Sequence, residues 1–247
     1  MELNMPKSRE GQRVPDVTFR IREDDVWKSV HTAELFNSKT IAVFSLPGAF
    51  TPTCSSTHLP RFNELAPVFR AAGVDAILCV AVNDTFVMNE WARDQECQNI
   101  VMIPDGNGEF TDGMGMLVDK ADLGFGKRSR RYSMLVRNGV VDKMFIEPDE
   151  PGDPYKVSDA DTLLNHVAPD ALRPDQIVVF SKVGCPYCAK AKQLLFEHEM
   201  DYVDIPLDHK IRGKVLGAVS GSMTAPQVFI NGQYIGGAEA LELYLQR

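Results

Sequence analysis

The 247 residues are 44% hydrophobic and 24% charged, with a formal net charge of −8. That balance suits one large or two modest globular domains, and the acidic surface argues against nucleic acid as a main partner. No run approaches the roughly 20 apolar residues of a membrane span, and the opening "MELNMPKSREGQRVPD" lacks the apolar centre of a secretion signal, so a soluble, cytoplasmic chain is expected. From Gln176 onward seven Lys/Arg and seven Asp/Glu cancel, which leaves the whole excess of acid in residues 1–175. The five cysteines are odd in number and scattered. In a chain of this length they do not read as a disulfide framework, and a cytosolic setting favours catalytic or redox thiols.

Taken in chain order, "TIAVFSLP" (40–47) and "VDAILCVAV" (74–82) are short, apolar and β-branched, as buried strands are. "DTFVMNEWARDQ" (84–95) is amphipathic at helical spacing, with Asp84 placed to cap it. "NIVMIPD" (99–105) predicts another strand, and "RYSMLVRNGVVDKMFIE" (131–147) a hairpin turning at Asn138-Gly139. "SDADTLLNHV" (158–167) predicts a helix capped by Ser158 with Asp161 three residues on. This alternation implies an α/β domain layered on a mixed sheet.

"APDALRPD" (168–175) has two prolines, two aspartates and no periodicity, and predicts a linker. The pattern then restarts: strand "QIVVFSK", helix "PYCAKAKQLLFEHE", strand "YVDIPLD", a helix near 209–219, hairpin "PQVFINGQYIGG" and helix "AEALELYLQ". The expected organisation is a domain over 1–167, a linker over 168–175 and a smaller domain over 176–247.

Cys185 and Cys188 stand in Cys-Pro-Tyr-Cys directly after a strand. Proline is well suited to a first helical turn, so Cys185 falls at a helix N-terminus, where free N–H groups stabilise a thiolate. Cys188 is one turn on and near enough to form a disulfide with it. One thiol attacks and the other resolves. A zinc site is disfavoured, because zinc needs four ligands and no second Cys-x-x-Cys follows. "SKVGCPYCAKAKQLL" and "TAPQVFINGQYIGG" together resemble a dithiol glutaredoxin over its whole length. The resemblance implies a cis Pro226 in a Thr224-Ala225-Pro226 turn beside the cysteines, and a groove for glutathione. Lys182 would meet a glutathione carboxylate and Tyr187 would line the groove. The Ala225 backbone would pair with the tripeptide, and Gly237, Ala238 and Glu239 would hold its γ-glutamyl end. The family more often has valine at the place of Ala225, and Asp or Ser at that of Glu239.

A lone cysteine sits in "PGAFTPTCSSTHLP" (47–60), straight after a buried strand. If a helix begins just after Thr51, Cys54 lies in its first turn, among free N–H groups. Acidity alone achieves little. A thiol taken from a pKa of about 8.5 to about 6 is ionised roughly 30-fold more at pH 7, yet loses roughly 13-fold in nucleophilicity. Some group must therefore bind and polarise the other reactant, and Thr51 and an arginine are the candidates. The stretches "PGAFTPTC", "VNDTFVMNEW" and "RRYSMLVRNGVVDKMFIEPD" resemble the peroxiredoxin-5-like branch of the peroxiredoxins, over nearly residues 10–167. The resemblance implies that Cys54 attacks the peroxide O–O bond and becomes a sulfenic acid. It implies that the Thr51 hydroxyl bonds the peroxide, that Pro47 shields the pocket from water, and that Arg131 holds the thiolate and the developing oxyanion. Some relatives carry a resolving cysteine after the Glu-Pro-Asp of 147–149, whereas "EPGDPYKVSDAD" has none.

Around this frame, "KRSRR" (127–131) could instead be a nucleic-acid patch or a localisation signal. His58 lies on the face of Cys54 as a pocket-lining residue or a base. Cys79 reads as an inert buried hydrophobe and Cys97 as a possible resolving thiol. Trp91 and the methionines at 114 and 116 read as core or interface.

The combined expectation is two thioredoxin-like α/β domains, a peroxiredoxin fold followed by a glutaredoxin fold. They would form a glutathione-dependent peroxidase for hydrogen peroxide and alkyl hydroperoxides. It would hold no tight cofactor and no metal, would use glutathione as co-substrate, and would assemble as a homo-oligomer, a dimer or tetramer. Eight linker residues span at most about 28 Å, so transfer between subunits stands level with transfer within one chain. The alternatives are a general protein disulfide reductase and a redox sensor that relays oxidation to client proteins.

Overall fold

The computed structural model describes residues 7–150, 152–211 and 213–246. The chain divides into two compact units, Met1–Leu172 and Arg173–Arg247, and the division falls inside the segment 168–175. Residues 1–6, at the head of the expected first domain, and Arg212, inside the helix expected near 209–219, lie outside the described residues.

In the first unit, a hairpin of β1 (Thr18–Glu23) and β2 (Val26–His31) leads into the short α1 (Thr32–Phe36). β3 (Thr40–Ser45) is followed by a π-helical turn over Cys54–His58 and by α2 (Leu59–Ala71). Then come β4 (Ala76–Ala81), α3 (Thr85–Asp94), β5 (Val101–Pro104), α4 (Glu109–Gly113), and the small pair β6 (Leu117–Asp119) and β7 (Lys127–Ser129). The hairpin β8 (Tyr132–Arg137) and β9 (Val140–Ile146) precedes α5 (Ala160–Val167). One five-stranded sheet, in the order β5-β4-β3-β8-β9, organises the unit. β3, β4 and β5 run parallel, and the β8–β9 hairpin adds antiparallel.

β3 is buried on both faces, which explains why it reads as a continuous apolar run rather than an alternating one. Its Ala42 and Phe44 join a core with Phe62, Leu65, Phe69, Trp91 and Leu163. Its Ile41 and Val43 point the other way, into a second core with Phe36, Phe110, Tyr132 and Met114. The β8–β9 turn forms as expected: Asn138 and Gly139 both take positive φ, 47° and 76°, which suits Asn-Gly. Asp84 caps α3 by accepting from the N–H groups of Phe86 and Val87.

Two expectations need correction. The cap of α5 is Asp159, whose carboxylate accepts from Thr162 N–H at 2.8 Å, not Ser158. The Ser158 hydroxyl is committed elsewhere, donating to Glu147 at 2.8 Å. The helix expected near 209–219 starts at Gly213, because Asp208 first closes a turn on the N–H groups of Lys210 and Ile211. The N-terminal hairpin, α1, α4 and the β6–β7 pair were not anticipated at all.

The second unit follows the expected element order. β10 (Ile177–Ser181), α6 (Pro186–Glu197), β11 (Val203–Pro206), α7 (Gly213–Ser220), the hairpin β12 (Gln227–Ile230) and β13 (Gln233–Gly236), and α8 (Ala238–Leu245) follow one another. Its sheet runs β11-β10-β12-β13, with β10 and β11 parallel. Ile177, Val179, Ala191, Leu195, Val228 and Leu241 make its core.

Candidate active sites

The loop after β3 turns sharply. Phe50 adopts φ 61°, an uncommon conformation for a bulky residue and one that clusters at functional sites. Thr51 closes the turn, its hydroxyl donating to the Gly48 carbonyl at 2.9 Å. Helix begins at Pro52, so Cys54 does lie in the first turn. The turn from Cys54 to His58 is wider than α-helical, with Leu59 N–H donating to the Cys54 carbonyl. Pro60 explains the widening: it has no N–H to offer the Ser56 carbonyl, so an α-helical register fails there. Trp91, buried on α3, ties this turn to the core by donating from its indole to the Ser55 hydroxyl at 2.9 Å.

The Cys54 sulfur is fully buried, and Arg131, 3% exposed, donates to it from Nη1 at 3.4 Å. The same Nη1 lies 3.1 Å from His58 Nδ1. The tautomer follows from the other ring nitrogen: Nε2 is 3.1 Å from the Ser158 carbonyl, which can only accept, so Nε2 carries the proton and Nδ1 accepts from the arginine. Burial, reinforced by the Arg131 charge, lowers the His58 pKa to about 3, so the ring is neutral. Arg131 Nη2 donates to both Asp153 oxygens, at 2.5 and 2.6 Å. Four of the five guanidinium N–H groups are thus committed, and Nε–H has no acceptor among the described residues. Tyr155 covers the group, its ring edge-on to His58 at 5.1 Å and beneath Arg131 at 5.6 Å.

A strap over residues 147–150 and 152–158 carries Asp153, Tyr155 and Ser158, and Glu147 pins it. One Glu147 oxygen accepts from Lys156 N–H, Val157 N–H, Ser158 N–H and the Ser158 hydroxyl, each at 2.8 Å. Burial on its own raises the Glu147 pKa, but these donors outweigh it and hold the carboxyl below the usual range. A cavity of about 270 Å³, lined by Pro47, Arg130, Arg131, Pro148 and Asp153 among others, opens beside the arginine.

In the second unit, Cys185 is the N-cap of α6 with Pro186 next. Cys188 N–H donates to the Cys185 sulfur at 3.2 Å, and the Cys185 thiol lies 3.5 Å from the Ala225 carbonyl. The bond to the Cys188 side chain lowers the Cys185 pKa, and the N–H groups of Cys188 and Tyr187 and the Lys182 charge add to this against a desolvation penalty. Cys188 is buried, and burial with the bond to Cys185 pushes its pKa up to about 11. The two thiols are therefore unequal: Cys185 is the one poised to attack.

A family model described as Redoxin matches residues 9–164, and one described as Glutaredoxin matches residues 177–235. The chain is 64% identical over 237 residues to "Hybrid peroxiredoxin hyPrx5" of Haemophilus influenzae, covering 96% of this chain and 98% of that one. This chain is a hybrid peroxiredoxin: a peroxiredoxin domain fused to a glutaredoxin domain. The peroxiredoxin part alone is 50% identical to "Peroxiredoxin sll1621" of Synechocystis, over 63% of this chain and 89% of that one. It also superimposes on reduced Prx3 of Vibrio vulnificus in complex with hydrogen peroxide, with a TM-score of 0.61 and 39% identity over 64% of this chain and 98% of that one. The hybrid peroxiredoxin has the two thioredoxin-like folds expected and is a thiol peroxidase.

In the peroxiredoxin domain the structure brings Cys54 and Arg131 into contact, with Pro47 on the cavity beside Arg131 and Thr51 one turn before Cys54. Cys79 is fully buried with its pKa well raised by desolvation. Cys97 donates to Asn63 Oδ1 at 3.5 Å, and burial takes its pKa to about 11. Arg128 of "KRSRR" bonds the Val82 carbonyl, and Arg130 pairs with Asp149 at 3.0 Å. With Arg131 committed as well, three of the cluster's four cations are engaged within the domain.

In the glutaredoxin domain Lys182, Cys185, Thr224 and Ala225 line one cavity of about 790 Å³. The Ala225–Pro226 bond is cis. Tyr187 is 61% exposed at the start of α6. Gly237, Ala238 and Glu239 form the start of α8, where Gly237 approaches the Pro226 carbonyl. The roles that Asp153, Tyr155 and Ser158 take around Arg131 were missed. Asp153 and Tyr155 stand 22 and 24 positions from their arginine, in a loop that carries no periodic signal.

Proposed function

We propose that this thiol peroxidase is driven by glutathione and reduces hydrogen peroxide and alkyl hydroperoxides at Cys54. The Cys54 thiolate attacks one peroxide oxygen. The O–O bond breaks, Cys54 becomes a sulfenic acid and the leaving oxygen departs as water or alcohol after taking up a proton. Arg131 supports both charges, because its Nη1 already faces the sulfur and its Nε–H is uncommitted. The Thr51 proton is committed to Gly48, so its oxygen is an acceptor suited to the O–H of a hydroperoxide. His58 is neutral and fully bonded, and serves neither as base nor as a bare lining group.

Reduction then follows. Glutathione condenses with the sulfenic acid, releasing water and leaving a Cys54–glutathione disulfide. The Cys185 thiolate attacks the glutathione sulfur, freeing Cys54 and taking the glutathionyl group. A second glutathione attacks the glutathionyl sulfur on Cys185 and leaves as oxidised glutathione, or Cys188 attacks the Cys185 sulfur, expelling glutathione and leaving a Cys185–Cys188 disulfide that two further glutathiones reduce. One observation carries this reading. The peroxiredoxin domain holds a buried, arginine-bound sulfur whose sister cysteines, Cys79 and Cys97, are both held protonated, and the strap where some relatives resolve is cysteine-free. The missing reductant is supplied by the fused dithiol, whose Lys182, Tyr187, Thr224, Ala225, Pro226, Gly237, Ala238 and Glu239 would hold glutathione. We further assign the cytoplasm as its compartment and a homo-oligomer as its working form.

Peroxide consumption with glutathione as the only reductant tests this. Cys54→Ser should abolish turnover, Cys185→Ser should cut it at least about tenfold and Cys188→Ser should cut it less. Full glutathione-driven turnover in Cys185→Ser removes the relay from the account.

A further inference from the structure

The strap crossing Arg131 does more than cover it. Arg131 Nη1 has two hydrogens and two acceptors, Cys54 Sγ at 3.4 Å and His58 Nδ1 at 3.1 Å. Nη2 has two hydrogens and both point to Asp153, at 2.5 and 2.6 Å. A guanidinium is planar and rotates as one body, so fixing Nη2 fixes the direction of Nη1 and Nε. Asp153 is itself held in place by its own segment. Glu147, whose N–H donates to the Arg131 carbonyl at 3.0 Å, gathers the three N–H groups of residues 156–158 on one oxygen. The Ser158 carbonyl in turn fixes the ring of His58. Two routes through one strap therefore converge on the arginine, one by way of His58 and one by way of Asp153.

We propose that Asp153 is a positioning residue for peroxide reduction: it orients the Arg131 guanidinium toward Cys54 and the oxidant while moderating its field at the sulfur. The inference rests on Cys54 being the peroxide-attacking sulfur, as read above. The charge count gives it a distinctive signature. Before reaction, one buried cation is shared between a thiolate and the Asp153 carboxylate; after reaction the sulfenic acid is neutral and the Arg131–Asp153 pair stands alone. Removing the carboxylate charge withdraws a like charge from the neighbourhood of the thiolate, and this favours the ionised sulfur. The same removal frees the guanidinium to turn, and this slows the transfer. Thiolate formation and peroxide rate should therefore move in opposite senses. A strap that merely supports the fold would not separate them.

The groups facing Cys54 and Arg131 allow the pH reading. His58 is neutral with its pKa near 3, Cys79 and Cys97 stay protonated, Tyr155 is held as the phenol by burial, and Glu147 is ionised throughout the neutral range. Asp153 is 41% exposed at its side chain, so a neutral isostere is tolerable there.

The experiment uses the full, reduced chain. The rate of Cys54 oxidation by stoichiometric hydrogen peroxide is followed by intrinsic fluorescence, and Cys54 ionisation by thiolate ultraviolet absorbance against pH. Wild type must react and Cys54→Ser must not; failure there sinks the peroxidatic reading itself. Given that control, Asp153→Asn should lower the rate about tenfold, the worth of one charge-assisted hydrogen bond. It should also shift the thiolate transition toward acid by roughly half a pH unit. Asp153→Glu, which restores the charge, should return the transition and recover most of the rate. If Asp153→Asn does not fold, Asp153→Ser provides the same two readings. A neutral variant as fast as wild type overturns the inference. So does a slow one whose thiolate transition stays put or moves toward alkali, because the strap is then only structural support.

Discussion

The two reactive sulfurs of this hybrid peroxiredoxin are stabilised by different means. Cys54 is buried and faces a guanidinium that is itself held by a histidine, a carboxylate and a tyrosine ring. Cys185 is partly exposed at the end of a helix, and its stabilisation comes from a second thiol, neighbouring N–H groups and the charge of one lysine. The difference fits the two reactions. Cleaving an O–O bond creates charge on an oxygen that the protein must meet with a fixed donor in a dry pocket. Exchanging thiols with a soluble tripeptide needs access and an acidic sulfur, and little else.

Several perturbations sharpen or break that contrast. The largest effect should come from Arg131→Gln. It should slow Cys54 oxidation by peroxide on the order of 10²–10³-fold, while alkylation of Cys185 in the same protein is unchanged. Equal losses at both sulfurs in a stopped-flow and alkylation comparison would break the separation of the two sites.

Next is selective labelling. At neutral pH iodoacetamide should modify Cys185 far faster than Cys188, by at least about tenfold, because the Cys188 pKa is pushed up to about 11. Peptide mapping after a short exposure measures the ratio, and equal labelling would contradict the assignment of Cys185 as the attacker.

A third test uses acid. The His58 pKa in the folded state is lowered from 6.5 to about 3, so the unfolded chain binds the extra proton first. The stabilisation is therefore complete above about pH 6.5 and is lost at up to about 1.4 kcal/mol per pH unit as pH falls toward 3. Glu147, with its folded pKa also lowered, adds a loss of the same sign below about pH 4. Thermal midpoints against pH should fall less steeply between pH 6.5 and 4 in His58→Gln than in wild type. Parallel curves would mean that the ring is not buried in its neutral form. The smallest effect should be that of Lys182→Gln, about two- to threefold on Cys185 alkylation, since the lysine ranks after the thiol and N–H donors among the groups that acidify it.

Much of this was legible in the sequence for physical reasons that can be named. The glutaredoxin site is local: Cys-Pro-Tyr-Cys, the helix it opens and the strand before it are contiguous, so spacing alone puts Cys185 on the N-terminus of α6. β3 and α3 were readable because a doubly buried strand is uniformly apolar and a capped amphipathic helix starts with Asp84. The peroxiredoxin site was legible only where a motif carried it. That Arg131 meets Cys54 follows from β8 pairing with β3, 77 positions away in sequence from cysteine to arginine, and no periodicity shows that pairing. The strap was illegible because its order comes from one carboxylate collecting backbone N–H groups, and any residue can offer those. Ser158 resembles a cap in sequence for the same reason: its hydroxyl has a better partner in Glu147, which the helix pattern does not reveal. Likewise the π-helical turn at Cys54 answers to a missing N–H at Pro60 rather than to any pattern of side chains.

Mass spectrometry of the Cys54 peptide, after one equivalent of hydrogen peroxide and then glutathione, tests the relay most directly. In a Cys185→Ser/Cys188→Ser double variant, Cys54 should first be trapped as the sulfenic acid and then accumulate as its glutathione disulfide, whereas in wild type that disulfide should disappear as Cys54 returns to the thiol. A Cys54 that stays reduced after peroxide, or a glutathione adduct that persists equally in both proteins, would contradict the account.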